Sequence, residues 1–398
     1  MKLVLKLKLL TDPQTDCLLR QTAQAYQCAC NALSQIAFEN QTFSAYALHP
    51  LAYYRVKAEF ELPAQLVIRA IAEVCNSYKS LIAQLEAYNR SCPPDQRRGL
   101  ELIHFKPNLA VSFDQRVMRL DVQKRRVSLR TLRCRIGFDF QAGEKCQPLL
   151  AYAQGQADLR RYGKEWFLLQ TLEVPEAELR ETTNHLGVDV GICTVASCTD
   201  GKQTLRFPGE QIRQMRNHRY QLRRGLQRHN TRSSRRRMRK LRDKESRTVR
   251  TFNHLISRRI VSQAQRTNST IVLEALEGIR EGAKVHSSQR RERFSWAYAQ
   301  LQQFIVYKAK LAGIPVLWVA PDYTSKTCSK CLNMSDRNRP TQAWFKCVNC
   351  GFCWHADDNA AENIRFLGAE STRQKRTVCM QEYLHTERRK PLRFNRGS

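Results

Sequence analysis

Seven side chains beyond residue 180 are of types, and at spacings, that hold metal ions. Cys328 and Cys331 form one Cys-x-x-Cys turn, and Cys347 and Cys350 form another. Each turn sets two thiolates together, and two such turns close a tetrahedron around zinc at about 2.3 Å per sulfur. Four protein ligands leave no open position for water, so zinc there is expected to be structural, a staple for a hairpin too small to fold on its own core. Cys353 is a spare thiol at a poorer spacing. The other three side chains are carboxylates. Asp189 lies in HLGVDVGI, where Leu186, Val188 and Val190 point one way along a strand and Asp189 the other. Gly187 and Gly191 flank it and are expected to leave space beside the carboxylate. Glu274 ends the apolar run STIVLE, and Asp357 opens the helix-like run DDNAAENI. Asp358 fits the helix start as well, and Glu277 is a weaker candidate beyond the strand.

One acid in a strand means little, because an edge carboxylate in water would account for it. Three in this order, the last just behind a ribbon, point to an RNase H-like fold that gathers them on one face of a mixed sheet. Three carboxylates there can hold two Mg²⁺ about 4 Å apart, one activating water and one stabilising the leaving 3′ oxygen of a phosphodiester. Magnesium suits such a site because it takes oxygen ligands and keeps positions open for phosphate.

The 398 residues carry 67 Lys and Arg against 36 Asp and Glu, a net charge of +31. That excess does not fit an ordinary metabolic enzyme and points to a polyanion, nucleic acid or a membrane surface. No apolar run is long enough to span a bilayer, and the start MKLVLKLKLL has neither the apolar region nor the cleavage site of a signal peptide. The fifteen cysteines are mostly scattered, so outside the ribbon they read as reduced thiols in a cytosol.

In chain order, residues 1–10 alternate Lys with Leu or Val, as a half-buried strand does. Helical spacing follows from Asp12-Pro13 through Ile36, near Leu51–Phe60, and from Pro63 to about Tyr88. Tyr53, Tyr54, Gln65 and Arg69 in these helices are candidates to meet bases or phosphates, with aromatic core and solvated charge as the plainer alternative. From Leu100 to about Val174 the period is two, with short strands expected at 109–113, 117–120, 126–129, 149–152 and 166–171. Together with the first strand they are expected to form a small basic antiparallel barrel into which the helices are inserted. Between Arg213 and Arg250 sixteen basic residues face only Asp243 and Glu245. Leucines keep helical spacing there, so two long basic helices with a break near 230–234 are expected along a phosphate backbone, with Arg223, Arg224, Arg235, Arg236, Arg237 and Arg239 as candidate contacts. The polar stretch Gly278–Arg293 suits a loop over an active site, Phe294–Leu311 an amphipathic helix, and 314–319 a further strand.

These motifs together resemble the TnpB family, transposon-encoded proteins ancestral to the compact type V CRISPR nucleases. GVDVGI, IVLEAL, PDYTSKTCSKC with CVNCG, and HADDNAAENI carry the resemblance most specifically, and LPAQLVIRAIAEV resembles the family's N-terminal region. It implies a multidomain α/β (α+β) protein: an N-terminal β-barrel wedge domain (1–10 and 100–183) with an inserted helical recognition domain (11–99), an RNase H-like RuvC nuclease domain (184–322, with the basic helices 209–259, closed by a last helix at 355–371), an inserted zinc ribbon (323–354) and a basic tail (372–398). It makes Asp189, Glu274 and Asp357 the catalytic, Mg²⁺-binding triad, Asp357 being preferred to Asp358 because the family's acid stands two residues before Asn-Ala-Ala. It also implies a guide RNA derived from the transposon end, a short motif beside the target, and cleavage of both strands of double-stranded DNA at one site, by a monomer in a prokaryotic cytosolic ribonucleoprotein. The 278–293 loop would open, around Gly282, once the heteroduplex is long enough. Two departures stand out: Ala275 follows the middle glutamate where Asn or Asp is common, and Leu332 follows the second ribbon cysteine where Gly is common. Other readings of the same residues are a compact type V CRISPR effector, a nuclease-dead RNA-guided repressor, a guide-independent resolvase-type nuclease and a strand-joining transposase.

Overall fold

The computed structural model of the chain describes residues 1–191, 193–275, 298–321 and 323–373. Glu277, the 278–293 loop with Gly282, the start of the helix expected from Phe294, and the tail beyond 373 lie outside the described residues. The chain divides into two units, Met1–Pro175 and Glu176–Ser398. The stretch before Asn184 goes with the second unit because Glu176 pairs with Lys310 and the Arg180 N–H donates to the Gly313 carbonyl.

In the first unit, β1 (Lys2–Leu9), β2 (Val111–Phe113), β3 (Met118–Asp121), β4 (Arg126–Arg130), β5 (Arg135–Gln141), β6 (Ala153–Tyr162) and β7 (Glu165–Glu173) form one sheet in the order β2-β6-β7-β1-β5-β4-β3. Every pairing is antiparallel, and β1 sits at the middle, paired with β7 along its length and with β5 at its end. Its alternation has the expected effect: Leu7 and Leu9 are buried, whereas the lysines between are not. The helices α1 (Pro13–Glu39), α2 (Ala45–Phe60) and α3 (Ala64–Ser91) follow β1 in the chain. Tyr26, Leu33, Leu66, Ile71 and Tyr78 from α1 and α3 share one core with Phe113, Leu159 and Trp166 of the sheet. Each such large apolar side chain, once buried, contributes roughly 1.5–3 kcal/mol. The Trp166 indole N–H also donates to Asp16 at 2.8 Å, tying α1 to β7.

Two elements differ from their expected form. Residues 148–152 are a 3₁₀ helix, not a strand; Pro148 opens it, its fixed φ suiting a first helical position, and the strand starts at Ala153. The second helix begins at Ala45, ahead of an internal Pro50. The expected helix lay near Leu51–Phe60; Leu48, Ala52 and Val56 make one buried stripe at four-residue spacing that carries the helix through Pro50.

In the second unit, β8 (Asn184–Asp189), β9 (Thr194–Thr199), β10 (Thr204–Pro208), β11 (Ser269–Glu274) and β12 (Val316–Val319) form a mixed sheet in the order β10-β9-β8-β11-β12. The first three are antiparallel, and β8, β11 and β12 are parallel. The basic helices are α4 (Glu210–His229) and α5 (Arg232–Arg266), joined at Asn230 and Thr231, with Asn230 left-handed at φ 43°. Leu186, Val188, Ile271 and Leu273 form a core with Ile256 and Ile260 of α5 and with Leu301 and Ile305 of α6 (Tyr298–Leu311). Alternate residues of the same strands face α7 (Ala356–Arg373): Val272 packs with Ile364 and Leu367. Between β12 and α7 lies the ribbon, whose hairpin is β13 (Trp344–Lys346) and β14 (Cys353–His355).

Candidate metal centre at the strand ends

Parallel pairing sets Val188 of β8 beside Leu273 of β11. The next residues, Asp189 and Glu274, therefore stand side by side at the carboxyl ends of neighbouring strands and share a face, because side chains alternate with period two. That face is the one α7 covers, and Asp357 lies in the first turn of α7. Its approach is close by construction. A Cβ on Gly187 would sit 2.1 Å from the Ala361 carbonyl oxygen, and one on Gly368 would sit 2.4 Å from a Val272 methyl. The space at Gly187, expected to serve the carboxylate, is filled by helix backbone instead.

The electrostatics reflect this convergence. Burial, and then the charges of Glu274 and Asp357, push the Asp189 carboxyl well above the usual range, against the opposing effect of Arg339. Glu274 is 8% exposed. Three acids from three elements thus share a partly dry site where they repel one another, the donor chemistry that a hard divalent cation would relieve. Arg339, from the ribbon, lies 3.3 Å from Asp357 and supplies a positive charge there. Asp358 has a different setting. It is 1% exposed, accepts from Ser197 Oγ at 2.7 Å and pairs with Arg206 at 3.0 Å, so its carboxylate joins α7 to β9 and β10.

The four ribbon cysteines come together. Their sulfurs lie within 4.8 Å of one another, with Cys328 to Cys350 at 3.7 Å and Cys331 to Cys347 at 3.5 Å. Sulfurs at about 2.3 Å from a tetrahedral zinc would be about 3.8 Å apart, so the set fits that ion. Cys353 hydrogen-bonds to the Gly351 carbonyl and is not in the cluster. Burial drives the Cys328 thiol up to about 12. In Cys331 burial acts the same way, but hydrogen bonds from the Asn333 backbone and neighbouring thiols bring it to about 6.

Sequence reasoning did not pick out the side chains that join ribbon, helix and strand. Asn359 and Asn363, one turn apart on α7, donate to the Thr327 carbonyl at 2.8 and 2.7 Å, and Asn363 also donates to the Thr324 carbonyl at 2.7 Å. The Thr324 hydroxyl donates to Glu274 Oε1 at 2.5 Å. The only signal in sequence was the four-residue spacing of two asparagines at the start of a helix.

The nucleic-acid candidates fall into groups. In the first unit Tyr54 is 77% exposed. Tyr53 stacks on His49. Gln65 is engaged by Asp114 and Arg116, and Arg69 donates to Ser112 at 2.6 Å, so these two side chains are spent on joining α3 to the sheet. In the second unit Arg224, Arg236, Arg237 and Arg239 are exposed. Arg223 pairs with Glu245 at 3.3 Å, and Arg235 caps Asn230.

A mixed α/β unit with carboxylates at its strand ends and a four-cysteine ribbon beside them has known counterparts. The family model described as "Cas12f1-like, TNB domain" matches residues 298–364, and the "Probable transposase" model OrfB_IS605 matches residues 169–280. The CRISPR-associated endodeoxyribonuclease Cas12f1 of Sulfoacidibacillus thermotolerans is 45% identical over 125 residues, covering 31% of this chain and 28% of the relative. Cas12f2 of a Micrarchaeota archaeon is 32% identical over 216 residues, 50% and 40% of the two chains. A TnpB-like protein of Methanocaldococcus jannaschii is 38% identical over 128 residues, 32% and 45% of the two. The matches therefore span less than half the length of each of these relatives. Among solved structures, Cas12f1 in a complex with sgRNA and target DNA shares the fold at a TM-score of 0.61 and 17% identity, over 89% of this chain and 83% of that one. The resemblance to the TnpB family, related to the type V effectors, is borne out by these models and relatives.

Proposed function

We propose that the chain is an RNA-guided DNA endonuclease of the TnpB type. The observation that carries the reading is the convergence of Asp189, Glu274 and Asp357 at the carboxyl ends of β8 and β11 and the start of α7. The sheet order, three antiparallel strands followed by two parallel ones, supports an RNase H-like RuvC domain. The three carboxylates would hold magnesium, and the four ribbon cysteines a structural zinc. Bound there, magnesium supplies an activated water and charge stabilisation at the leaving oxygen of a phosphodiester. The chain's own part is to bring three acids from separate elements into one rigid frame, with Arg339 adding positive charge where phosphate would lie. In the first unit, the antiparallel sheet and its helices are assigned to a wedge barrel and a recognition layer that meet guide RNA and duplex DNA. The exposed arginines of α4 and α5 would follow a phosphate backbone. Base pairing with the guide then supplies sequence specificity, and the protein reads a short adjacent motif. Because several relatives are CRISPR-associated, a compact type V effector with the same chemistry is the second reading; the neighbouring DNA, a repeat array or a transposon end, separates the two.

The test is to purify the protein with the RNA it carries from its native locus, sequence that RNA, and challenge the complex with a matching duplex in magnesium. A discrete RNA and guide-matched cutting lost in Asp189→Ala are expected. Cutting of branched DNA without RNA would sink the guide, and RNA-dependent binding without cutting would make the chain a repressor.

A further inference from the structure

We infer that Thr324, in the turn that opens the ribbon, is a positioning residue for the Glu274 carboxylate, so that the ribbon sets the geometry of the acid cluster. The inference rests on the reading of Asp189, Glu274 and Asp357 as metal ligands.

The backbone of Glu274 is already fixed. Its carbonyl accepts from the Gln302 amide at 2.8 Å, and β11 is paired on both sides. Its side chain has three rotatable bonds, and the Thr324 hydroxyl restrains it by donating to Oε1 at 2.5 Å. The same hydroxyl lies 3.3 Å from the Pro321 carbonyl, but its one hydrogen goes to the nearer, charged acceptor, the stronger of the two bonds. A hydrogen bond to one oxygen also restricts where the group's second oxygen can point.

Thr324 is held as firmly as the group it holds. It is 3% exposed. Its carbonyl accepts from Asn363 of α7, the helix that carries Asp357. Thr327, which leads into the Cys328 turn, is clamped by both Asn359 and Asn363. One chain of hydrogen bonds thus runs from the cysteine turn through α7 to Glu274, and a second ribbon side chain, Arg339, reaches Asp357. The plain alternative is that Thr324 fills a hole, in which case valine would serve as well.

Thr324→Val, Thr324→Ala and Thr324→Ser separate the two, because the hydroxyl and the volume rank them differently. The readout is Mn²⁺ binding by the full chain, followed by electron paramagnetic resonance and taken as the component lost in Asp189→Ala. Zinc content serves as the check on folding. Positioning predicts that Val and Ala both weaken Mn²⁺ by about tenfold or more, while Ser stays within about twofold of the parent. Equal affinities in all four proteins, or an order set by volume with Val like Thr and Ser impaired, would overturn it. If Val loses zinc, the contrast of Ala with Ser decides. Unchanged Mn²⁺ binding in Asp189→Ala would overturn the metal-ligand reading and this inference together. A normal Thr324 series beside a deficient Asp189→Ala overturns only the inference.

Discussion

Leu332 follows the second cysteine of its turn as Gly351 follows the second of the other, and the two turns are built alike. The Leu332 N–H donates to Cys328 O at 2.9 Å and the Gly351 N–H to Cys347 O at 3.0 Å, with φ of 59° and 71°. A side chain in that left-handed region costs about 1–2 kcal/mol, part of which glycine returns in backbone entropy. Leu332→Gly is therefore expected to stabilise the ribbon by roughly 0.5–1 kcal/mol, seen as slower release of zinc to a chelator. The adjacent acids of α7 should part in the same way. Asp358→Ala strips a buried carboxylate from Ser197 and Arg206 and is expected to cost about 2 kcal/mol in a melting experiment. Asp357→Ala should leave melting nearly unchanged and lower cutting by on the order of a hundredfold or more. Equal effects of the two on both measurements would mean that the assignment is reversed.

The seating of α7 on the sheet depends on two places where a side chain would not fit. At Gly187 an added Cβ meets backbone atoms of α7, the Ala361 oxygen at 2.1 Å and the Arg365 nitrogen at 2.5 Å, and backbone cannot swing aside as a side chain can. Gly187→Ala is expected to cost on the order of 3 kcal/mol and to shift α7, with Asp357 at its start, away from Asp189. Calorimetry and a cleavage assay would show both losses together. Stability unchanged from the parent would mean that the helix is not held as close as described.

The +31 charge is unevenly spread, and α4 with the first half of α5 holds much of it. Binding through six to ten phosphates loses roughly 10³–10⁵ in affinity between about 50 and 200 mM salt. Replacing Arg236, Arg237 and Arg239 together by Gln is expected to lower the slope of log affinity against log salt by about 2–3 for duplex DNA, read by fluorescence anisotropy. An unchanged slope would place the phosphate contacts elsewhere. Among the described residues no helix is long and apolar enough to cross a membrane.

Local signals carried much of this molecule. The Cys-x-x-Cys turns, the Lys–Leu alternation of β1 and the apolar run before Glu274 are properties of short windows, and short windows decide turn chemistry and side-chain period. Other features were decided by packing, some of it between residues far apart in the chain. The helix expected near Leu51–Phe60 starts at Ala45, because a buried stripe on both sides of Pro50 carries the chain through it. Gln65 and Arg69 looked available, yet Asp114, Arg116 and Ser112, more than forty positions on, engage them. Gly187 reads as room for a carboxylate until α7 is laid across it. Thr324 carries no local mark at all. Its part is set by which carboxylate, fifty positions earlier, the tertiary structure brings to its hydroxyl. Sequence by itself named the candidate acids and the thiols that cluster, because chemistry restricts which residues can hold a metal. Only the packing decided what holds those acids in place, because a hydrogen bond depends on distance in space and not on separation along the chain.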